Sequence, residues 1–444
     1  MHKKLPFMAL ILFSFVNLQA NYTLKESERV TSKIDCMPKN AVGDMNKVPQ
    51  DPAFYAKQIK PFSKTQQESF DKKFNEKYFK PWSAHTLEIP QKDFGWEINF
   101  VTKKPIYRAE GSVISSSVYN KWIENADYKH INTKKYKAIT VKHTNVKALP
   151  TNEAFYRDPR KTGEGFPFDY NQNSSLHMNV PLYISHFSRD KVWAFVRAAY
   201  SFGWVKTSDL ALVSNDFIET FRNDNYAMVI KDNLRLFDEN NNALSIVKLG
   251  TIFPLSPDGK SYLVGKRNAK GQALIEQVKV LNKNIIAKKP LPFTPENVAM
   301  LAQEFFGEPY GWGGSYECRD CSATTRDFLG AFGIFLRRNS SKQAQDGTSI
   351  PIKGLSKALK KQTIIKKADP FRSLLYVPGH IVLYLGDYKG EPVVMHTYWG
   401  IRKNDGTKLV TGRTIITTTE PGRERSDVRE GSKLINTLQT IVLF

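Results

Sequence analysis

Two cysteines stand close together in the stretch YECRDCSATTRDFLGAFG, at Cys318 and Cys321. The only other cysteine of the chain is Cys36. After Cys321 the apolar residues Phe328 and Phe332 recur at helical spacing, which predicts a helix that begins at or just after Cys321. The free N–H groups and the dipole at a helix N-terminus stabilise a thiolate. The pattern therefore predicts that Cys321 is a nucleophile.

A nucleophilic cysteine needs a histidine as its base, and the stretch PGHIVLYLGDYKGEPVVMHTYWG supplies two. Its two apolar segments are typical of strands, and GDYKG between them is predicted to be a five-residue hairpin loop centred on Tyr388. This register makes His380 and His396 cross-strand partners on one face, with Cβ atoms roughly 5 Å apart. His380 is then the expected base and His396 the residue that orients its ring, as in papain-like chemistry.

The same residues allow two other chemistries. Cys318, Cys321, His380 and His396 together could bind zinc, and CRDC could serve a thioredoxin-like redox role. The helix and the hairpin already use three of these four residues in one arrangement, and redox motifs of this kind usually belong to a βαβ fold. We therefore expect neither a metal nor a cofactor. The other histidines of the mature chain form no tight cluster and are expected to be surface or core residues: His85, His130, His143, His177 and His186.

The odd number of cysteines requires that at least one thiol stays free or pairs with another chain. Cys318 is either free or paired with Cys36, and both arrangements leave Cys321 reactive. A bond between Cys318 and Cys321 would instead switch the nucleophile off.

The N-terminus predicts export. MHKKLPFMALILFSFVNLQA combines two lysines, an apolar run and the small residue Ala20, which is the layout of a signal peptide. We expect residues 1–20 to be removed and the protein to be periplasmic or secreted. No later stretch has the ~18 uninterrupted apolar residues of a membrane span, so we do not expect an integral membrane protein.

The chain is strongly basic, with 65 lysines and arginines against 43 acidic residues and a formal charge of +22. Such a charge favours polyanionic partners. Export and the dispersed distribution of the basic residues argue against nucleic acid. Anionic cell-wall polymer or membrane headgroups fit better, and a basic surface that is merely solvated fits equally well.

The elements that must position these residues follow from changes of pattern along the 444 residues, a length that suits two to four domains. Phe70, Phe74 and Tyr78 recur every four residues in a region of helical character. Short apolar runs separated by Asn-rich and Gly-rich turns then predict small β-barrels. We therefore predict an α+β multi-domain chain with a helical N-terminal domain (21–130), two small barrels (131–215 and 216–290) and a last domain of mixed helix and strand (291–444).

Several motifs of the last domain, taken together and in order, resemble the NlpC/P60 family of cell-wall cysteine peptidases. They are GEPYGWGGSYECRDCSATTRDFLGAFG, LRRNSSKQAQDG, PGHIVLYLG and VVMHTYWG, and the resemblance runs through most of 295–400. The barrels resemble bacterial SH3-type modules, on the stretches GFPFDYNQNSSLHMNVPLYISHFSRDKVWAFV and FGWVKTSDLALV. The helical region resembles the stabilising domain that precedes such peptidases. The resemblance implies SH3-like folds for both barrels and a papain-like α+β domain at the C-terminus.

The resemblance also implies an endopeptidase that cuts peptidoglycan stem peptides between γ-D-glutamate and a diamino acid such as meso-diaminopimelate. Cys321 would be the nucleophile, His380 the base and His396 the third member, with the Cys321 N–H helping to stabilise the oxyanion. The residues expected to line the substrate cleft are Tyr310, Asp320, Ser322 and, from the first SH3-like module, Tyr170.

One departure from the family bears on specificity. Relatives that require a free N-terminal L-alanine often carry Arg-Asp-Ser after the catalytic helix, where the aspartate helps to bind the amine. Here the run is Arg338-Asn339-Ser340. We expect Asn339 and Ser340 to contact substrate but do not expect a strict requirement for a free amine.

Two other functions stay open from the sequence. The domain could be catalytically silent and serve as a wall-binding or scaffolding protein, or the same triad could act as an amidase or acyltransferase. The sequence leaves open the oligomeric state and the choice between intact wall and released muropeptides.

Overall fold

The computed structural model of the protein describes residues 22–27, 42–90 and 93–444. The predicted signal peptide (1–20) and Cys36 lie outside these residues.

The N-terminal region is mainly helical, as predicted, and one helix illustrates why. Ser63 caps α3 by accepting a hydrogen bond from the Gln66 N–H at 3.1 Å, and the aromatic side chains of Phe74 and Tyr78 are buried on one face. The helix ends at Tyr78, just before Pro81. The elements of this region are β1 (Tyr22–Glu26), α1 (Asp44–Lys47), α2 (Pro52–Ala56), α3 (Lys64–Tyr78), α4 (Trp96–Lys103) and α5 (Ser116–Ala126).

The first SH3-type module is built on one sheet with the strand order β4-β3-β7-β6-β5-β2-β8. The buried Trp82 joins the helical region to this sheet by donating its indole N–H to Ala138 O at 2.7 Å. The strands are β2 (Tyr136–Thr140), β3 (Thr144–Lys147), β4 (Gln172–Leu176), β5 (Pro181–Phe187), β6 (Trp193–Arg197), β7 (Phe202–Lys206) and β8 (Leu210–Leu212).

The second SH3-type module holds two sheets and borrows a strand from the start of the chain. Its elements are α6 (Asn215–Phe221), β9 (Tyr226–Val229), β10 (Leu234–Phe237), β11 (Ala243–Val247), β12 (Ile252–Pro254), β13 (Tyr262–Arg267), β14 (Ala273–Val280) and β15 (Ile286–Lys288). The strand orders are β11-β10-β1-β14-β13 and β12-β9-β15. β1, which the sequence assigns to the helical region, runs antiparallel to β10 and parallel to β14.

The C-terminal domain packs helices against an antiparallel sheet of order β16-β21-β17-β18-β19-β20. Thr294 caps its first helix, which has Pro295 at the first position. The elements are α7 (Pro295–Phe305), α8 (Cys321–Ala331), α9 (Ser340–Gln343), β16 (Thr348–Pro351), α10 (Lys357–Lys367), β17 (Leu374–Val377), β18 (His380–Tyr388), β19 (Glu391–Arg402), β20 (Lys408–Thr418), α11 (Leu434–Thr437) and β21 (Thr440–Leu443).

This architecture confirms the predicted fold class, a mixed α+β chain of several domains. The division into five segments stays a prediction. Among the residues that the structure describes, no helix is both long and apolar enough to span a membrane.

A buried cluster of charges joins the second SH3-type module to the C-terminal domain. Arg319, 3% exposed, donates from Nε to Asp327 Oδ2 at 2.7 Å and from Nη1 to Glu308 Oε1 at 3.0 Å. Its Nη2 donates to Asp232 Oδ1 and to Leu249 O, each at 3.1 Å. Arg319 thus contacts both domains, and Asp232 is also held within its own module by Lys248 Nζ at 3.0 Å.

We predict that Arg319→Met destabilises the protein by about 3–5 kcal/mol, because it leaves buried carboxylates without their main partner. Arg425→Met is the matched control, since Arg425 forms an exposed pair with Asp427. Urea unfolding followed by fluorescence measures both. Equal midpoints for the two variants would show that the buried cluster adds nothing to stability.

Candidate active site

Cys321 is the first residue of α8, and Asp320 caps the helix by accepting a hydrogen bond from the Ala323 N–H at 2.9 Å. The thiol is 8% exposed. The backbone N–H of Ile381 is hydrogen-bonded to its sulfur, so Cys321 lies against the start of β18, next to His380. The predicted helix and its start are confirmed.

The loop before Cys321 is held tightly against the first SH3-type module. Gly313 and Gly314 have φ angles of 59° and 88°, which favour glycine. A Cβ atom at Gly313 would lie 2.2 Å from Gln172 O, and one at Gly314 would lie 2.3 Å from Ser175 Oγ. Only glycine therefore lets this loop contact β4, which explains the GWGG sequence.

The hairpin that carries the histidines has a different register from the predicted one. Its strands extend through Tyr388 and resume at Glu391, so that only two residues, both with positive φ, form the turn. Leu383 pairs with Met395, and continuing this register sets His380 opposite Tyr398 instead of His396. The predicted register is wrong by two residues. A shift of two keeps a side chain on its face of the sheet, so His380 and His396 still share one face.

The two histidines are diagonal neighbours and are hydrogen-bonded. His380 Nε2 lies 3.0 Å from His396 Nδ1, and His396 Nε2 lies 3.1 Å from Thr417 Oγ1. The Tyr398 ring stacks on His396 with centroids 4.6 Å apart. His396 is 2% exposed. Because Nε2 of His380 is hydrogen-bonded to His396, Nδ1 of His380 is the ring nitrogen that can contact another partner.

Burial keeps the thiol and both rings uncharged. Burial and the Asp320 carboxylate raise the pKa of Cys321 to about 12, against the opposing effects of the Ile381 N–H and Arg338. Burial lowers the pKa of His380 to about 4, although Asp320 opposes it. Burial and the neighbouring His380 ring hold the pKa of His396 well below its usual value. These shifts favour a neutral thiol beside neutral imidazoles in the free protein.

Asp320 and Ser322 belong to a buried polar cluster that the sequence did not reveal in full. Arg338 donates to Asp320 Oδ2 at 2.6 Å, to Ser322 Oγ at 2.7 Å and to Ser174 Oγ of the first SH3-type module at 3.0 Å. Burial raises the pKa of Asp320, but Arg338 and the backbone N–H groups outweigh it, and the net pKa is lowered. A fixed carboxylate and a fixed guanidinium thus stand beside the nucleophile.

Aromatic residues from two domains form one side of the site. The buried Tyr310 is close enough to Cys321 and Asp320 for both to raise its pKa, after the larger effect of burial. Its ring contacts Trp399 (centroids 5.7 Å) and Phe168 (6.4 Å). Tyr170 contacts Trp312 at 6.0 Å, so the first SH3-type module reaches the C-terminal domain at this edge.

The remaining predicted residues lie further from the triad chemistry. Asn339 is exposed and precedes α9, and Ser340 is its half-exposed first residue. Cys318 is partly buried, three residues before the nucleophile. Within residues 22–27, 42–90 and 93–444, no three His, Cys, Asp or Glu side chains form a group that could hold a metal ion.

Sequence reasoning missed Arg338 as a partner of Asp320, and Thr417 as a partner of His396. The adjacent arginines in FLRRNSS, directly after an apolar run, are a signal for a buried cation that the sequence does contain. Nothing in the sequence around Thr417 indicates its role, because its partner His396 lies on a neighbouring strand.

Four family models match successive segments of the chain. Residues 307–404 match the model of the NlpC/P60 family, and residues 8–130 match the NLPC_P60 stabilising domain, N term. Residues 154–206 match an SH3 domain of SH3b1 type, and residues 214–260 match an SH3 domain of SH3b2 type.

One solved structure shares the fold over most of the chain. An NlpC/P60 endopeptidase from Photobacterium damselae subsp. piscicida is 23% identical, with a TM-score of 0.79 over 92% of this chain and 98% of that one. An NlpC/P60 family protein from Bacillus cereus is 15% identical, with a TM-score of 0.43 over 69% of this chain and 98% of that one. None of the curated proteins matches the chain. Residues 307–404 therefore form a domain of the NlpC/P60 family, and it lies behind an N-terminal stabilising domain of the kind found with that family and two SH3 domains.

Proposed function

We propose that the chain is an exported cysteine peptidase that hydrolyses peptidoglycan stem peptides. The bond that we assign to it joins γ-D-glutamate to a diamino acid such as meso-diaminopimelate. The observation that carries the proposal is a cysteine at the start of α8 beside two histidines that are hydrogen-bonded to each other. The solved relative from Photobacterium damselae is described as an endopeptidase, which supports the reaction class.

In the proposed reaction the Cys321 thiol passes its proton to His380 Nδ1 while its sulfur attacks the amide carbonyl. The negative oxygen of the tetrahedral intermediate is stabilised by the Cys321 N–H. The protonated His380 then gives its proton to the leaving amine, and a thioester remains on Cys321. A water molecule, deprotonated by His380, attacks the thioester, and the acid product and the thiol are released. His396 orients the His380 ring throughout.

The surroundings of Cys321 suit a stem peptide, which carries both carboxylates and amines. Asp320 and Arg338 form a buried ion pair beside the nucleophile, and Tyr310 and Tyr170 lie at the aromatic edge. We propose that Ser322, Asn339 and Ser340 contact the same peptide. Export rests on the predicted signal peptide, which implies action in the periplasm or outside the cell.

We predict that wild type releases fragments containing diaminopimelate from purified muropeptides and that Cys321→Ala releases none, because the thioester needs the sulfur. Cys318→Ala is the matched control at the neighbouring cysteine and should retain cleavage. Mass spectrometry of the products identifies the bond that is cut.

Two results would contradict this proposal. Reduced wild type that cleaves no muropeptide would favour a wall-binding or scaffolding protein. A product formed at another amide, or transfer of an acyl group, would favour an amidase or acyltransferase that uses the same three residues.

We also predict that wild type cleaves stems that are still linked to sugar, as well as peptides with a free amine. Asn339→Asp should shift the preference roughly two- to fivefold towards the free amine, as for an exposed ion pair of about 0.4–1 kcal/mol. Competition between a sugar-linked stem and the free peptide measures the ratio, with Asn339→Gln as the uncharged control. Equal ratios for the three proteins would remove Asn339 from the site.

The acid limb of the pH profile provides another prediction. His380 can act as base only when neutral, and burial lowers its pKa to about 4. Thus kcat/KM should persist as the pH falls from 7 to 5 and drop near pH 4, because kcat/KM reports the free enzyme. Circular dichroism at each pH separates titration from unfolding. If kcat/KM instead fell near pH 6.5, the pKa of a solvated imidazole, the result would contradict burial of His380.

A further inference from the structure

A continuous series of hydrogen bonds runs from His380 into β20. His380 Nε2 lies 3.0 Å from His396 Nδ1, and His396 Nε2 lies 3.1 Å from Thr417 Oγ1. The Thr417 hydroxyl in turn donates to Thr418 O at 2.8 Å. Thr417 is fully buried, so water does not replace any of these partners. The proton positions in this series can be assigned from its last member.

A backbone carbonyl only accepts hydrogen bonds. The single proton of the Thr417 hydroxyl must therefore point at Thr418 O, because otherwise two oxygen lone pairs would face each other at 2.8 Å. The Thr417 oxygen then accepts from His396, which places a proton on His396 Nε2. Burial keeps the His396 ring neutral, and a neutral imidazole carries one proton. His396 Nδ1 is consequently bare and accepts from His380.

The same reasoning fixes His380. Its Nε2 must carry the proton that is donated to His396 Nδ1, and its neutral ring then leaves Nδ1 bare. A bare Nδ1 is what a base for the Cys321 thiol requires. The reversed series would put a proton on Nδ1 and remove the base, and an incorrect histidine tautomer is very costly in triad enzymes.

We propose that Thr417 is a positioning residue that selects the tautomers of both histidines and so leaves His380 Nδ1 free to accept the Cys321 proton. The proposal rests on the cysteine-peptidase function proposed above. Thr417 lies beyond the residues that match the NlpC/P60 family model, which end at 404.

The end of the series is itself anchored by the N-terminal region. Asp44 in α1 accepts hydrogen bonds through Oδ2 from the Thr418 N–H at 2.8 Å and from the Thr418 hydroxyl at 2.5 Å. Asp44 is 1% exposed. The stabilising domain thus holds the residue whose carbonyl orients the Thr417 hydroxyl.

The test compares Thr417→Val, which keeps the shape but removes the oxygen, with Thr417→Ser, which keeps the oxygen. Thr414→Val is the matched control, because Thr414 is a buried threonine of the same strand whose hydroxyl contacts Thr397 instead of a histidine. Histidine 15N spectra of the full-length mature protein report which ring nitrogen is protonated, and His380→Gln and His396→Gln assign the signals.

We expect both rings of wild type to be protonated at Nε2, and this pattern to persist in Thr417→Ser and Thr414→Val but not in Thr417→Val. Alkylation of Cys321 by iodoacetamide at pH 7, followed on its own peptide by mass spectrometry, should slow roughly 10- to 100-fold in Thr417→Val only.

Protonation of His380 at Nδ1 in wild type would overturn the proposal, whatever the variants do. Unchanged tautomers and unchanged alkylation in a folded Thr417→Val would also overturn it. Neither measurement uses a wall substrate. A wild type with the expected tautomers that cleaves no muropeptide would therefore refute the proposed function and leave the role of Thr417 intact.

Discussion

The burial of Arg319 is the constraint on which the arrangement of the domains depends. A buried carboxylate is costly unless a partner neutralises it, and Arg319 supplies that partner for Asp232, Glu308 and Asp327. Lys248 of the second SH3 domain shares Asp232 and Glu308 with the arginine, so this buried charge cluster favours one position of the domain. Because Arg319 lies two residues before Cys321, the same requirement fixes how the chain enters α8.

Burial of the site also affects the nucleophile, Cys321. A helix N-terminus alone would favour a thiolate, but Asp320 already occupies that end of α8 as its cap and places a negative charge beside the sulfur. These effects favour the neutral form of the Cys321 thiol in the free protein. A neutral thiol is less reactive than a thiolate, so the reactivity of Cys321 depends on His380 as its base.

The sequence predicted the parts of the site that depend on local pattern. The helix at Cys321 and the shared face of His380 and His396 follow from spacing. The hairpin register could not be derived, since a two-residue turn and a bulge after Tyr384 replace the longer loop that GDYKG suggests. Partners from distant segments were also beyond local pattern. Arg338 meets Ser174 of another domain, and nothing near either residue in the chain encodes that contact.

β1 pairs with two strands that lie far from it in the sequence. β1 is made first, yet its partners β10 and β14 follow more than two hundred residues later. β1 lies between β10 and β14 in the sheet, and until these strands have emerged it carries unpaired N–H and C=O groups. Long-range pairing of this kind slows folding. The first described strand must therefore wait for two later segments before the sheet of the second SH3 domain can be completed.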